Sequence, residues 1–592
     1  MGHGAVISTA SNEHSLVQIA FEPKGTAYVL RVGRFLVSQS AFMIAAAVLV
    51  GVGGGLGAVL FREMIAGAGW LAFGQLLPFF EAHLGPIGLI LLLAIGGSIA
   101  AYITVRFAPE AKGHGVPEVM EAVALRGGVM RPRIIAIKSI ASATSIGFGG
   151  SCGREGPIVQ IGSAIGSVLG QAAKAPASVV RTLVACGAAA GISATFNAPI
   201  GGVFFAAEVI LGEFAPRSFA AIVVASVISA VIGRAFLGNH PSFNAAGFQL
   251  VSPWELLLYG VLGVLAAVWA TGFVKLLYAV EDRFEAVGLP AWAKGALGFA
   301  CVGAIGIWFP QVFGVGYDSI QQVLYEHVAA PHAFLLAALK PLATSLTLGS
   351  GGSGGVFAPS LFIGAFLGDG YGRIVHGLFP LWTGPAAAYG LVAMAALFAA
   401  AAEAPITAIM IVFEMSSDYT IILPLMVTVV IASLLGRRLL GATVYEQKLL
   451  RRGIDWKKAR NPGFFSRLTV AAYTRKAPVI AQADGTIAAA IDEDRDENEL
   501  AIPVCDGERF VGVVTALDLA RAATERRGAE PLRSILHLHP GALAPSDTLD
   551  RAAELMAESD TPLLPVLGEN GILVGILTRR DLLLAYRSAG NS

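Results

Sequence analysis

The stretch GSCGREGPIVQIG (residues 151–163) places an arginine and a glutamate side by side between two long apolar segments. An ionisable side chain is expensive to bury at membrane depth, so a glutamate in this position indicates a functional site. Pro157 suits the first turn of a helix, and Gly153 and Gly156 allow backbone N–H groups to come close to a ligand. The stretch therefore predicts a helix that begins at a polar site inside a membrane, with Glu155 at that site.

The composition is that of a membrane protein. Of 592 residues, 55% are hydrophobic and 14% are charged, and the mean hydropathy is +0.69, whereas soluble domains contain about 25% charged residues. A net charge of zero provides no field to attract nucleic acid. The N-terminus lacks the pattern of a signal peptide, and no Walker A loop, HExxH motif or nucleophile elbow indicates an enzyme. The cysteines form no CxxC pair, which argues against a zinc site or a disulfide framework: Cys152, Cys186, Cys301 and Cys505.

Hydropathy divides the chain into five predicted segments. Residues 1–34 are predicted to be a cytoplasmic N-terminal segment. Residues 35–450 contain apolar runs of the roughly 20 residues that a membrane helix needs, and they are predicted to form the transmembrane domain. Residues 451–464 form a charged linker, and the more polar segments 465–527 and 528–592 form two soluble cytoplasmic domains. Several apolar runs are short and broken by Gly or Pro, which is tolerated at membrane depth only in buried or cavity-lining segments.

Two motifs occur twice, in the same order, within the predicted membrane domain. The segment PIVQIGSAIGSVLG (157–170) matches PSLFIGAFLGDGYG (359–372), and APIGGVFFAAE (198–208) matches APITAIMIVFE (404–414). Glycine-rich apolar helices resemble one another by chance, but two motifs in one order favour a duplicated architecture. Duplicated halves with short, broken helices are typical of secondary transporters, whose site lies at the repeat interface.

Four turns share one design, in which glycine or a small residue precedes a proline and an apolar run. The first N–H groups of a helix have no partner within it, and they carry the positive end of the helix dipole. Several such N-termini that converge would form an anion site without a full positive charge. A cation site would need clustered carboxylates, so no metal is expected. The turns are GHGVPE (113–118), GREGP (153–157), FNAPIGG (196–202) and GGSGGVFAP (351–359).

GREGP followed by GGVFAP (354–359), with GxGxPE upstream and NAP before Glu208, resembles the CLC family of chloride channels and proton-coupled chloride exchangers. The resemblance covers nearly the whole chain. It implies an α-helical polytopic membrane domain, built as an inverted repeat of tilted and partial helices, in a homodimer with one anion pathway per subunit. The expected partners are chloride or a similar small anion, a second copy of the chain and the lipid bilayer, and no nucleic acid.

The resemblance also implies the site residues. Glu155 maps to the gating glutamate, whose carboxylate competes with the anion and leaves when it is protonated or displaced. The N–H groups of Val356 and Phe357 and the hydroxyl of Tyr445 are expected to hold the central anion. The full expected set for anion binding is His114, Gly115, Arg154, Gly156, Gly355, Val356, Phe357, Ala358 and Tyr445.

Alternatives stay open at three of these residues. Glu155 could instead form a loop salt bridge with Arg154, and Arg154 either raises the positive potential at the outer mouth or pairs with an acid. His114 departs from the family's typical exchangers, which carry a serine whose hydroxyl touches the anion. An imidazole donates one hydrogen bond or becomes a cation, or it turns away and fills space. The anion preference is therefore open, with chloride as the expectation.

A second departure concerns proton coupling. Family exchangers carry an inner proton glutamate at the residue after the one that matches Glu208, and here that residue is Val209, which cannot carry a proton. We therefore expect a channel-like or weakly proton-coupled protein, with a strictly coupled antiporter as the alternative. A more distant alternative, a divalent-cation transporter regulated by CBS domains, requires carboxylate clusters in the membrane. Glu208 itself is expected to make a structural hydrogen bond.

The soluble tail is also repeated. AIPVCDGERFVGVVTALDL (501–519) resembles PLLPVLGENGILVGILTRRDL (562–582), each a strand, a turn, a strand, a GxxTxxD motif and a helix. This pattern resembles a tandem pair of CBS domains with an α/β fold. In such pairs the Thr caps a helix and the Asp offers an acceptor to the ribose of an adenine nucleotide, and the alternative is capping alone. No other cofactor is expected. The residues are Thr515, Asp518, Thr578 and Asp581.

Overall fold

The computed structural model describes residues 19–24, 27–32, 35–239, 243, 250–326, 328–456, 468–494, 501–537, 541–559 and 563–589. The chain forms two compact units, residues 1–456 and 457–592, so residues 451–456 of the predicted linker belong to the first unit. The rest of that linker and residues 1–18 of the predicted N-terminal segment lie outside the described residues.

The first unit is helical after a short antiparallel sheet of three strands, β1–β3. The strands are β1 (Ile19–Lys24), β2 (Ala27–Val32) and β3 (Phe35–Ser38). The helices are α1 (Gln39–Gly69), α2 (Leu77–Leu84), α3 (Ile87–Phe107), α4 (Val116–Leu125), α5 (Arg133–Gly147), α6 (Glu155–Ala172), α7 (Ala177–Phe196), α8 (Pro199–Phe205), α9 (Pro216–Leu237), α10 (Glu255–Ala286), α11 (Ala291–Gly306), α12 (Tyr317–Tyr325), α13 (Ala330–Gly349), α14 (Phe357–Leu378), α15 (Ala386–Ala402), α16 (Pro405–Ser416), α17 (Ile422–Leu440) and α18 (Val444–Arg451).

Within the described residues, six helical segments are long and apolar enough to cross a membrane. They alternate with shorter apolar helices such as α15, which is almost entirely buried, and α16, which is partly buried. This mixture confirms the predicted fold of full-length and partial helices, and the protein is an integral multi-pass membrane protein. The six segments are Gln39–Leu84, Ile87–Phe107, Ala177–Phe196, Ser218–Leu237, Glu255–Ala286 and Tyr419–Arg451.

The four glycine- and proline-containing turns each open a helix, as their sequences predict. Helix α4 begins at Val116, α6 at Glu155, α8 at Pro199 and α14 at Phe357. The run α4–α8 therefore has a counterpart in α12–α16, and the two runs carry the repeated motifs at equivalent places. Helix α8 continues into a π-helical segment, Ala206–Leu211, whereas α16 is α-helical throughout.

The two runs meet through reciprocal contacts. Gly153 donates its N–H to the carbonyl of Gly355 at 2.7 Å, and Gly355 donates back to the carbonyl of Gly153 at 2.6 Å. Helix α8 also packs directly against its counterpart α16. Such exchange of equivalent groups indicates an approximate two-fold relation between the halves, which places the starts of α6 and α14 next to each other.

Two fully buried lysines, one in each half, hold the turns that precede α4 and α12. The ammonium of Lys138 donates to the carbonyls of Ala111 and Gly113, both at 2.8 Å. The ammonium of Lys340 donates to two carbonyls at the equivalent turn, those of Val312 and Gly314, both at 2.9 Å. The sequence analysis did not identify these lysines, although they lie at the same spacing as the repeated motifs.

The second unit is mixed α/β, as predicted for a CBS pair. In its first half, β5 pairs antiparallel with β6 and parallel with β4; in its second half, β7 pairs antiparallel with β8. Its strands are β4 (Ala481–Gln482), β5 (Ala501–Asp506), β6 (Arg509–Thr515), β7 (Leu563–Leu567) and β8 (Leu573–Thr578). Its helices are α19 (Ile487–Asp494), α20 (Ala516–Thr524), α21 (Leu549–Ser559) and α22 (Arg579–Ala589).

Candidate anion site at three helix N-termini

The N-termini of α4, α6 and α14 approach so closely that glycine is required where they meet. A β-carbon on Gly156 would lie 2.0 Å from the carbonyl oxygen of His114, and one on Gly355 would lie 2.8 Å from the backbone nitrogen of Gly156. Gly115 has a φ of +83°, which favours glycine, and a β-carbon there would meet the carbonyl of Gly156 at 2.9 Å. These three predicted residues therefore have a steric role in bringing the helix starts together.

Glu155 lies at this meeting point with a side chain that is only 1% exposed. Its Oε1 accepts a hydrogen bond from the Tyr317 hydroxyl at 2.6 Å, and its Oε2 lies 3.4 Å from the N–H of Ala358 on α14. Among the ion pairs of the described residues, neither carboxylate oxygen pairs with Arg154. The alternative of a salt bridge between Glu155 and Arg154 is therefore not observed. The carboxylate thus occupies the open end of a second helix, where a free anion would be stabilised by the same groups.

The start of α14 keeps two further donors available. Within the described residues, the N–H groups of Val356 and Phe357 have no protein acceptor, as is usual for the first turn of a helix. Both residues are 2% exposed, and the ring of Phe357 packs against the rings of Phe196 and Phe398 at 5.0 and 4.2 Å between centroids. Two buried donors therefore lie in an apolar surrounding, where an anion would gain most from them.

Tyr317 is a site residue that the sequence analysis missed. It begins α12, and the glycines of GVG (314–316) before it repeat those of GHG (113–115) before α4. This duplicated turn, together with Lys340 that holds it, was the signal from which Tyr317 could have been identified. Because its hydroxyl donates to Glu155, Tyr317 stabilises the carboxylate in its present position.

Arg154 borders a cavity of about 730 Å³ that is also lined by Arg62, Thr195 and Tyr317. Its guanidinium lies 5.1 Å from the centre of the Tyr317 ring and donates to the carbonyl of Thr195 at 3.5 Å. Among the residues that the structure describes, Arg154 forms no ion pair with an acidic side chain, although it acts electrostatically on the neighbouring Glu155. Of the two open interpretations, the geometry fits a positive potential at this cavity better than an ion pair.

His114 lies between two tyrosines and is 5% exposed. Its ring centroid is 5.9 Å from that of Tyr445 and 6.4 Å from that of Tyr278. Its Nε2 is 3.3 Å from the Tyr278 hydroxyl, whereas its Nδ1 is buried without a hydrogen-bond partner among the described residues. The imidazole therefore keeps one polar atom unused next to the expected anion ligand Tyr445.

Tyr445 is positioned by the start of α18. Thr443 and Glu446 form a capping box around it, with the Thr443 hydroxyl accepting from the Glu446 N–H and the Glu446 carboxylate accepting from the Thr443 N–H, both at 3.0 Å. Tyr445 is 2% exposed, and its hydroxyl makes no hydrogen bond to the described residues. Its hydroxyl is therefore available as a hydrogen-bond donor.

The fourth N-terminus does not join this site, which corrects the expectation drawn from FNAPIGG. The carboxylate of Glu414 on α16 accepts from the N–H groups of Ile200 and Gly201, at 3.0 and 2.7 Å, and so occupies the start of α8. Reciprocally, Glu208 accepts from the N–H of Thr407 at 2.8 Å at the start of α16. Each of these glutamates caps the other repeat's helix.

The capping role of Glu208 agrees with its expected structural hydrogen bond. Its neighbour Val209 lies on the π-helical segment Ala206–Leu211 and is 6% exposed. Because successive side chains point in different directions around a helix, Val209 faces the protein interior while Glu208 reaches α16. Glu208 therefore cannot take the place of the acid that is absent at position 209.

A second cavity, of about 430 Å³, is lined by charged side chains that pair with one another. Lys448 on α18 pairs with Glu281, and Lys112 pairs with Glu285 at 3.1 Å. Further pairs involve residues at the end of α18: Arg451 with Asp282, and Arg452 with Glu118 and Glu121. Among the described residues no group of three or more Asp, Glu, His or Cys could hold a metal ion.

The comparisons with known proteins identify the family. The family model described as voltage gated chloride channel matches residues 96–437, and the CBS domain model matches residues 470–525 and 533–588. The chain belongs to the CLC family. It is 34% identical to a ClcB-like chloride channel protein of Ralstonia nicotianae, over 70% of this chain and 98% of that protein. It is 31% identical to the H⁺/Cl⁻ exchange transporter ClcA of Cronobacter sakazakii, over 68% and 88%.

Solved CLC structures share the fold of this chain. A slow cyanobacterial Cl⁻/H⁺ antiporter has a TM-score of 0.64 at 28% identity, covering 69% of this chain and 97% of that chain. A eukaryotic CLC transporter, at 20% identity, shares the fold with a TM-score of 0.61 over 91% of this chain and 97% of its own. The prediction that the chain is a CLC protein with a C-terminal CBS pair is confirmed.

The CBS pair of this CLC protein has matching Thr–Asp turns. Thr515 and Asp518 form a capping box at the start of α20, and Thr578 donates to Asp581 from both its hydroxyl, at 2.6 Å, and its N–H, at 2.8 Å. Burial raises the pKa of Asp518, but its hydrogen bonds with Thr515 and His537 outweigh this effect and hold the pKa below its ordinary value. The carboxylate is therefore ionised at neutral pH.

Proposed function

We propose that the protein transports chloride, or a similar small anion, along a CLC-type pathway that is gated by Glu155 and is channel-like or weakly proton-coupled. The observation that carries the proposal is the Glu155 carboxylate at the N-terminus of α14, beside the unpartnered N–H groups of Val356 and Phe357. A carboxylate in that place competes with an anion for the same donors. Protonation of the carboxylate removes its charge and weakens its hold on the helix end.

The supporting argument against strict coupling is Val209. An apolar side chain, 6% exposed, provides neither a proton carrier nor a polar group around which water would order. The alternative, a strictly coupled proton/chloride antiporter, is favoured by the names of the ClcA relative and of the cyanobacterial structure. A divalent-cation transporter has less support, because the acids near the second cavity pair with Lys and Arg.

Liposomes that contain the purified protein under an imposed chloride gradient distinguish these functions. Chloride and pH are recorded together, with the membrane potential clamped by potassium and valinomycin. We expect fast chloride flux with little or no uphill proton movement. Robust chloride-driven proton pumping would show the strict antiporter, and an absence of chloride flux with flux of a divalent cation would show the third candidate.

We also propose that the protein is a homodimer, with one pathway in each subunit, as the family resemblance implies. Light scattering of the detergent-solubilised protein should give twice the mass of the 61.2 kDa chain. A mass of one chain under conditions that preserve flux would contradict the dimer.

For the CBS pair we propose regulation by an adenine nucleotide that contacts Thr515, Asp518, Thr578 and Asp581. Both aspartates are oriented by a helix-capping threonine, and Asp518 is ionised and able to accept from a ribose hydroxyl. Calorimetry of the full-length protein with ATP, ADP and AMP tests this proposal. Asp518→Ala or Asp581→Ala should weaken binding at least tenfold, about 1.4 kcal/mol, whereas Asp550→Ala, outside both turns, should not. If no nucleotide binds to the wild-type protein, the Thr–Asp turns of the two CBS domains only cap their helices.

A further inference from the structure

His114 has one nitrogen committed by its surroundings and one unused. The Tyr278 hydroxyl has a single proton, and it donates that proton to the carbonyl of Val444 at 2.5 Å. A carbonyl can only accept, so the Tyr278 oxygen is left to accept from His114 Nε2, which lies 3.3 Å away. The proton of a neutral His114 ring is thereby placed on Nε2.

The consequence for Nδ1 follows from the chemistry of imidazole. A neutral ring carries one N–H, so Nδ1 has a lone pair and accepts hydrogen bonds. An anion needs a donor, and a neutral His114 in this tautomer repels it at Nδ1. The ring presents a donor to an anion only when it is protonated on both nitrogens. The serine that is typical at this position in CLC exchangers donates without any change in protonation.

The surroundings keep the ring neutral while no anion is bound. His114 is 5% exposed, and a buried charge without a partner is costly. The charged groups that act on it are cations from other elements, Lys138 on α5, Lys448 on α18 and Arg452 beyond α18, and each is already engaged by carbonyls or acids. The groups in ring contact, Tyr278 and Tyr445, are neutral phenols. An incoming anion would be the first unpaired opposite charge next to the ring.

We propose that the anion and a proton bind together at His114, with the imidazolium donating from Nδ1 to the anion and from Nε2 to Tyr278. This inference rests on the proposed function and concerns the occupancy of the anion site, not a proton path across the membrane. One proton enters with one anion, so the net charge of the site does not change. Because coupling between two ligands is reciprocal, anion affinity increases as the pH falls.

Glu155 also couples protons to anions, so the test removes it first. In a Glu155→Gln background, chloride binding to the full-length protein in detergent is measured by calorimetry. Buffers of different ionisation enthalpy give the number of protons taken up per chloride bound. We expect uptake approaching one proton per chloride and a chloride Kd that rises up to about tenfold per pH unit within pH 5 to 8.

Two variants in this background test the role of the imidazole. His114→Asn places an amide near the position of Nδ1 that donates without titrating, so proton uptake should vanish and the chloride Kd should vary less than about twofold with pH. Tyr278→Phe leaves His114 in place but removes the acceptor that fixes its tautomer. The neutral ring can then carry its proton on Nδ1, so chloride should bind at high pH with reduced proton uptake.

The outcomes separate the two proposals. Chloride binding without proton uptake in Glu155→Gln, or with equal uptake in Glu155→Gln and Glu155→Gln/His114→Asn, would overturn the role of His114 and leave the transport proposal intact. Unchanged proton uptake in Tyr278→Phe would overturn the tautomer argument. Absence of chloride binding and flux in the wild-type protein would overturn the proposed function itself.

Discussion

The two halves of the membrane unit hold their turns with the same device but begin their central helices with different residues. Lys138 and Lys340 each donate to two carbonyls of a turn, and Glu208 and Glu414 each cap a helix of the other half. At the start of α6, however, stands Glu155, and at the equivalent start of α14 stands Phe357.

The same contrast is found at the glycine-containing turns that precede α4 and α12. His114 lies between the glycines before α4, and the equivalent position before α12 is Val315; α4 begins with Val116 and α12 with Tyr317. The scaffold is thus duplicated, whereas each polar side chain of the site occurs in one half only. A symmetric scaffold provides helix N-termini on both sides, and asymmetric side chains decide how an anion is held and released.

The largest expected effect comes from breaking the shared scaffold. Lys340→Met leaves the carbonyls of Val312 and Gly314 without a donor among the described residues, which should destabilise the fold by about 2–6 kcal/mol. Lys138→Met should cost less, because Ser353 and the Gly354 N–H also donate to its two carbonyls. Thermal unfolding in detergent measures both. Equal losses would show that these additional bonds do not compensate.

Next, Glu155→Gln tests the asymmetric position directly. The amide cannot ionise, so at saturating chloride the flux should persist and vary by no more than about twofold with external pH. Glu414 is a partly buried acid of the other half that caps a helix, so Glu414→Gln is the matched control and should keep the wild-type pH profile. If Glu155→Gln kept that profile, the gate would lie elsewhere.

A smaller effect is expected from the reciprocal caps. Glu208→Gln and Glu414→Gln keep a hydrogen-bond acceptor but remove the charge at a helix N-terminus, so each should lower stability by about 1–2 kcal/mol. Glu208→Gln should lower the stability slightly more than Glu414→Gln, since Glu208 also accepts a hydrogen bond from the Thr407 hydroxyl at 2.6 Å. Unfolding midpoints are compared with the exposed control Glu81→Gln, and no loss relative to that control would argue against capping.

The smallest effect is expected at Val209. Val209→Glu alone should not produce chloride-driven proton pumping, because a buried carboxylate also needs hydrated routes to both sides of the membrane. The counterpart in the other half, Met415, is apolar as well, so Met415→Glu is a matched control for the cost of burying an acid. Proton pumping in Val209→Glu and not in Met415→Glu would show that one missing acid is enough to explain weak coupling.

Much of the candidate site was predictable from local patterns. The glycine- and proline-containing turns predicted the starts of α4, α6 and α14. Glu155 was assigned to the gate, and Tyr445 to anion binding, by resemblance to the CLC family. Tyr317 and the two lysines were missed, although the repeat of GxG at 314–316 was a usable signal. Tyr278 gave no signal, because it lies within the long apolar helix α10 and its relevance arises only from contact with His114.

The sequence by itself determined where helices begin, because glycine and proline act on the backbone of their own residues and leave the first N–H groups unpaired. Only the tertiary structure decided which of these N-termini stay open. FNAPIGG has the same local design as the other three turns, yet a carboxylate more than 200 residues further along the chain, that of Glu414, occupies its donors. In the same way the tautomer of His114 depends on Tyr278 and Val444, which only the folded protein brings to the ring.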